Sequence, residues 1–166
     1  MKNLTTHLHV EPYLQEWAYH RFGHPVKLPR TSAESLLLTR LLQKPPTNHQ
    51  EEKEPHSSRL VPLHIIIPDN HLRRPEYYNH LSRRSAARLR HSLEDLFRLH
   101  LWSDCRHLVH SRGQLLRGLD QWCRQQGIHI DHREGVRQKF YRMRRAYETS
   151  GIIIGRKNQC HKSGQK

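Results

Sequence analysis

The feature that most constrains the fold is a long amphipathic stretch in the middle of the chain. From Ser85 to about Val109, apolar side chains recur at steps of three and four residues. They are Leu89, Leu93, Leu96, Phe97, Leu101 and Leu108. This spacing places them on one side of an α-helix, which must bury that side against other elements. We therefore expect this helix to lie at the centre of the core.

Two further helices are predicted ahead of it. Pro12 suits the first position of a helix, and Phe22-Gly23 ends that helix. Thr31 and Glu34 have the spacing of a capping box and start a second helix, which Pro45-Pro46 stops. The first helix can bury Leu14, Trp17 and Ala18, and the leucines of the second make it a core element.

Two segments have the patterns typical of strands. Residues 6–10 alternate between polar and apolar side chains, and residues 60–68 form a β-branched run bounded by prolines. The partner of the second strand is either residues 25–29 or the N-terminal strand. Asp69 or Asn70 ends the second strand, and a short helix is predicted to begin at Pro75.

The C-terminal part predicts a pair of helices. The first runs from about residue 114 to 126 and ends at Gly127; the second begins at Asp131 or His132, with Asp131 as its N-cap and Glu134 as the capping-box partner. The second helix has an apolar stripe formed by Val136, Phe140, Met143 and Tyr147. The pair resembles a helix-turn-helix DNA reader with a longer turn than usual. A plain helical hairpin is the alternative.

These elements predict a mainly α fold with a small β component (α+β). A two- or three-stranded sheet accompanies the helices and the C-terminal helix-turn-helix-like pair. A length of 166 residues suits one compact domain, which we assign to residues 1–150. Residues 47–58 carry no apolar side chain and are expected to be a disordered connector, and residues 151–166 are expected to be a basic tail.

The charge of the chain predicts a polyanionic partner. Lys and Arg number 29 against 15 Asp and Glu, which gives a formal net charge of +14. Double-stranded DNA is the expected partner, because Arg and Lys donate to phosphates and to guanine edges. The candidate nucleic-acid-binding residues are Arg133, Arg137, Lys139, Arg142, Arg144 and Arg145 in the last helix, Arg73, Arg74, Arg83, Arg84 and Arg88 in the middle of the chain, and Arg156 and Lys157 in the tail. A solvated basic face is the alternative interpretation.

A further pattern spans most of the chain. It consists of Tyr13-Leu14, Trp17, Phe22 to Pro29, Ser32-Ala33-Glu34, Tyr78 to Leu81 and Leu101-Trp102. This pattern resembles small basic proteins encoded by phages and integrated mobile elements of gut bacteria. The resemblance implies a mobile-element setting for the expected DNA-binding accessory or regulatory protein, and it assigns no activity to any residue.

Three other functions remain open. The basic surface could meet an acidic protein partner in phage assembly, or it could bind RNA. His7-Leu8-His9 resembles the metal site of single-strand nickases, with Tyr13, Tyr77 or Tyr78 as nucleophile, although the chain is too helical for the sheet of such enzymes. Because no Gly-rich phosphate loop, Ser-His-Asp signature or paired carboxylates occur, we expect neither enzyme activity nor a cofactor.

The remaining metal and membrane signals are weak. A zinc site could be drawn from Cys105, His107 and His110 with Cys123, His129 and His132, but no Cys-x2-Cys spacing supports it, and we expect no metal. The three cysteines are expected to be reduced thiols. No apolar run approaches the roughly 20 residues of a membrane-spanning helix. We expect no membrane partner and a cytoplasmic protein of a bacterium, associated with the nucleoid if it binds DNA.

Overall fold

The computed structural model describes residues 4–46, 59–110 and 112–151. In these ranges the strands are β1 (Thr5–Val10) and β2 (Val61–Ile66), and the α-helices are α1 (Pro12–Phe22), α2 (Ala33–Leu41), α3 (Arg83–Cys105), α4 (Arg112–Gln125) and α5 (Arg133–Thr149). Short 3-10 helices lie at Arg106–His110 and Ile130–His132. The fold is mainly α with a small β component, as predicted. The connector at 47–58 and the tail beyond residue 151, with Arg156 and Lys157, lie outside the described residues.

The strands form a small antiparallel sheet against the helices. Thr5 pairs with Ile66 at one end of the register and Val10 with Val61 at the other. The opposite edge of β2 is extended by Val26, whose N–H donates to the His64 carbonyl at 2.8 Å and whose carbonyl accepts from the Ile66 N–H at 2.8 Å. Both predicted partners of β2 therefore pair with it, one on each edge.

Helix α3 occupies the centre of the core, as its periodicity predicted. Its residue Phe97 is fully buried and contacts the rings of Tyr13 and Trp17 in α1, with centroid distances of 5.0 and 5.4 Å. The same ring contacts Trp122 of α4 at 5.9 Å. Aromatic pairs at these distances add to the free energy gained from burial. Phe97 thus joins α1 and α4 through α3.

Two predicted helix starts were placed wrongly. The N-cap of α2 is Ser32 and not Thr31, because Ser32 has the extended backbone of a cap and its Oγ accepts from the Ser35 N–H at 3.1 Å. Helix α5 begins at Arg133 after a 3-10 turn, in which the His129 Nδ1 accepts from the Asp131 N–H at 3.5 Å. The Asp131 carboxylate faces His129 at 3.2 Å.

The short helix predicted at Pro75 is wrong as well. Residues 75–77 form a single turn, in which the N–H groups of Tyr77 and Tyr78 both donate to the Arg74 carbonyl at 3.0 Å. The chain then becomes extended, since His80 exchanges two backbone hydrogen bonds with Gln43 after α2. Because of this pairing, the chain leaves the helical conformation after one turn.

The connection between α4 and α5 is fixed by a glycine. Gly127 has a φ of 72°, and the N–H groups of Gly127 and Ile128 donate to the carbonyls of Arg124 and Cys123 in a Schellman motif. A Cβ atom at this position would lie 3.0 Å from the His20 ring of α1. Residues 126–132 separate the two helices, a longer turn than in helix-turn-helix readers. Within the described ranges, no helix is long and apolar enough to cross a membrane.

Phe97→Ala tests the central position of α3. Because the ring touches two other helices, its removal is expected to cost about 3 to 5 kcal/mol of unfolding free energy. Chemical denaturation measures the loss. Leu99→Ala is the control on the same helix: Leu99 is 62% exposed, and its change is expected to stay within about 0.5 kcal/mol. Equal effects of the two substitutions would contradict this account of the core.

Candidate nucleic-acid interface

Helix α5 docks on the core by its predicted stripe. Val136 and Phe140 are fully buried, Met143 packs against the core, and Tyr147 stacks on Trp102 with ring centroids 4.5 Å apart. The opposite side of α5 therefore faces outward, as a helix that binds nucleic acid by one side requires. Five of the six predicted basic residues of this helix lie off the stripe and the sixth, Arg133, lies at its border.

Arg137, one of the predicted nucleic-acid-binding residues, forms ion pairs within the fold. One guanidinium nitrogen, Nη2, lies 2.6 Å from the Asp120 carboxylate of α4, and Nη1 lies 3.0 Å from Glu134. Hydrogen bonding to Asp120 raises the pKa of Arg137 above its ordinary value. The side chain is only 29% exposed. The Arg137 guanidinium therefore forms an ion pair that joins α4 to α5.

Lys139 is also engaged, in a cluster around Glu94 of α3. Its Nζ lies 2.7 Å from Glu94 Oε1 and 5.1 Å from the centre of the Tyr13 ring. The Tyr13 hydroxyl donates to the other Glu94 oxygen, and the Arg98 Nε donates to Oε1 at 3.3 Å. Burial, together with the bond to Glu94, raises the pKa of Tyr13, so the hydroxyl keeps its proton and remains a donor.

Three more candidates have partners in the protein. The Arg133 Nε donates to the Ile128 carbonyl at 3.3 Å, and the Arg144 Nε lies 2.8 Å from Glu148. Arg73 donates to the carbonyls at the end of α2, the shortest bond being 3.0 Å to Arg40. Such donors at a helix C-terminus satisfy carbonyls that the helix leaves unpaired. Arg133 thus stabilises the turn before α5 and Arg73 the end of α2, while Arg144 forms an ion pair one turn apart within α5.

The remaining candidates are exposed. Arg142 and Arg145 lie one turn apart on the outer side of α5, and Arg84 and Arg88 lie one turn apart near the start of α3. Arg74 is exposed before the turn at 75–77, and Arg83 is exposed at the first position of α3. Among the described residues, no ion-pair partner is recorded for Arg142, Arg145, Arg84, Arg88 or Arg74. These are the cations best placed to meet an external anion.

The sequence analysis missed Tyr141, which lies beside Arg142 and Arg145. The residue is 40% exposed and lines a surface depression of about 450 Å³. The other lining residues are Arg142, Arg144, Arg145 and Glu148. The helical position of Tyr141, one residue after Phe140 and thus about 100° from the stripe, could have shown that it faces away from the core.

The histidines and cysteines do not form a metal site in the described ranges. His7 and His9 share one side of β1, with ring centroids 5.7 Å apart. No group of three His, Cys, Asp or Glu side chains able to hold a metal ion occurs within residues 4–46, 59–110 and 112–151. Cys105 and Cys123 are buried, and burial raises their pKa values to about 12 and about 11.

Comparisons with known proteins add no family to this description. The chain matches no protein-family model, and comparison with the curated proteins and with the solved structures finds no match either. The function must therefore be argued from the geometry of the molecule.

Arg137→Ala tests the engaged arginines. Because it leaves the Asp120 carboxylate half-buried without its partner, we expect a loss of about 1 to 2 kcal/mol in unfolding free energy. Asp120→Asn should cost much less unfolding free energy in the Arg137→Ala variant than in the native protein. A double-mutant cycle measures this difference. Arg142→Ala, on the exposed side, should leave stability within about 0.5 kcal/mol. Identical stabilities of the two arginine variants would contradict the assignment.

The two buried cysteines are expected to be unreactive in the folded protein. Thiolate is the nucleophile, and pKa values of about 12 and about 11 leave Cys105 and Cys123 protonated at neutral pH. Alkylation with iodoacetamide followed by peptide mass mapping should leave both unmodified until denaturant is added. Rapid native labelling of either would show that the packing of α3 against α4 opens.

Proposed function

We propose that this chain is a DNA-binding accessory or regulatory protein of a mobile element. It holds duplex DNA by its phosphates through the outer side of α5, with the start of α3 as a second contact. The observation that supports this proposal is the division of charge on α5. The stripe, Arg137 and Lys139 face the protein, while Arg142 and Arg145 face outward.

The acids near α5 strengthen this argument. Glu134 pairs with Arg137, and Glu148 pairs with Arg144. Each of these carboxylates thus has a partly buried arginine beside it, and Arg137 is shared between Glu134 and Asp120. The outward guanidinium groups therefore keep a net positive charge. This charge attracts the phosphates of DNA, and their binding releases the counterions around them.

The start of α3 provides a second set of cations. Its first turn contains Arg83 and Arg84 and no acid. The positive end of the helix dipole lies at the same place, since the N-terminus of a helix carries unpaired N–H groups. Arg84 and Arg88 project from one side of this end. The mobile-element setting rests on the sequence resemblance.

The test measures binding of a labelled duplex by fluorescence anisotropy across a salt series. For about six neutralised phosphates, affinity should fall roughly a thousandfold between 50 and 200 mM salt. Arg142→Ala with Arg145→Ala should weaken binding and reduce the log–log salt slope by about two, near 0.9 for each lost contact.

The control pair is Arg117→Ala with Arg124→Ala. These two exposed arginines of α4 remove the same charge from another helix, so they should change affinity less and leave the slope almost unaltered. Arg84→Ala with Arg88→Ala tests the start of α3 in the same way. Salt-independent binding, or no binding at low salt, would contradict the proposal. Binding lost only with the α3 pair would move the interface away from α5.

A further inference from the structure

The outer side of α5 combines an aromatic ring with free cations. Tyr141 is 40% exposed, and its ring makes an edge contact with the fully buried Phe140, with centroids 6.4 Å apart. The ring therefore touches the core through Phe140, and about two fifths of the residue is open to solvent. The depression of about 450 Å³ beside it is lined by Arg142, Arg145 and the ion pair of Arg144 with Glu148. The presence of Tyr141 beside Arg142 and Arg145 distinguishes this side of α5 from a purely basic surface.

A base pair inside a duplex cannot use such a ring. Its faces are covered by the neighbouring base pairs, and only its edges are open in the grooves. An unpaired base, in contrast, offers a free π face that stacks on aromatic side chains, while arginines hold the adjoining phosphates. The depression has room for one base beside the ring.

The amide side chain on this side is less suited to reading a groove. Gln138 is the amide side chain of α5, and it donates to Glu134 at 3.5 Å. Asn and Gln recognise adenine through two hydrogen bonds to its edge, so a Gln bound elsewhere is a poor reader. The chemistry of this side favours stacking and phosphate contacts over reading base edges.

We propose that Tyr141, with Arg142 and Arg145, forms a site for an unpaired nucleotide. The site gives the protein a preference for DNA that contains a single-stranded segment, such as a duplex end with an overhang. This inference rests on the proposed function, because the same arginines hold the phosphates. Tyr141 adds stacking on a base of the single-stranded segment.

The experiment compares a blunt duplex, the same duplex with an extension of about six unpaired nucleotides, a length within the usual site size, and the unpaired strand. The native protein should bind the extended duplex more tightly than the blunt one. Tyr141→Ala should lower affinity for the extended duplex and the single strand roughly 5- to 100-fold, the effect of losing one stacked base. Its affinity for the blunt duplex should stay within about twofold.

Two variants separate stacking from other effects of the substitution. Tyr141→Phe keeps the ring and should retain the preference for the extended duplex. Tyr77→Ala removes another exposed ring, 60% exposed and outside α5, and should leave the preference unchanged. Circular dichroism of each variant verifies that the fold is intact.

The outcomes distinguish the two proposals. Binding of all DNAs with equal affinity, unaffected by Tyr141→Ala, would overturn the unpaired-nucleotide site and leave duplex binding in place. A loss of overhang preference with Tyr77→Ala as well would also overturn it, since the ring at 141 would then have no special role. Absence of binding to any DNA at low salt would overturn both.

Discussion

The arrangement of the helices depends on one carboxylate, that of Glu94. It lies on α3, its side chain is only 13% exposed, and it receives the Tyr13 hydroxyl from α1 and the Lys139 ammonium from α5. A largely buried carboxylate costs free energy unless donors surround it. Arg98 donates from α3 itself, but the other two donors come from other helices. The carboxylate is therefore fully compensated only when α1, α3 and α5 lie in their native positions. Glu94 thereby specifies the packing as well as contributing to it.

The same principle orients α5. Its N-terminal end is held by Glu16 of α1, whose carboxylate accepts from the His129 N–H at 3.0 Å and lies 2.9 Å from His132 Nδ1. Farther along, Asp120 holds Arg137 and Glu94 holds Lys139. Each contact comes from a different helix, so rotation of α5 about its axis would break several at once. The side that remains, with Tyr141, Arg142 and Arg145, is consequently presented in one orientation.

Periodicity along the chain was sufficient to predict most of the elements. The buried side of α3 and the stripe of α5 follow from apolar spacing, which reports burial directly. The two segments offered as alternative partners of β2 both pair with it. Local competition explains the errors at the caps: Ser32 and Thr31 are both good cap residues, and only the backbone path decides between them. The turn at Pro75 could not be predicted, because pairing between His80 and Gln43 overrides local preference.

Charge counting was less informative than apolar spacing. Arg137 and Arg142 look equivalent in a basic run, yet one bonds Asp120 of another helix and the other faces solvent. Which arginine forms an ion pair depends on the acidic residues that distant segments bring close to it. The position of an arginine in the sequence does not show this. Tyr141 was missed for a related reason, since an aromatic residue next to a buried one is usually counted with the core.

The separation of inward and outward cations on α5 has a consequence for the behaviour of the protein in salt. Ion pairs that are partly buried are screened much less than charges in solvent. Glu94 with Lys139 and Asp120 with Arg137 belong to the first group, and Arg142 and Arg145 belong to the second. Rising ionic strength therefore weakens the hold on an external polyanion well before it loosens the helices. Under the proposed function, a concentrated salt wash would release the nucleic acid and leave the protein folded.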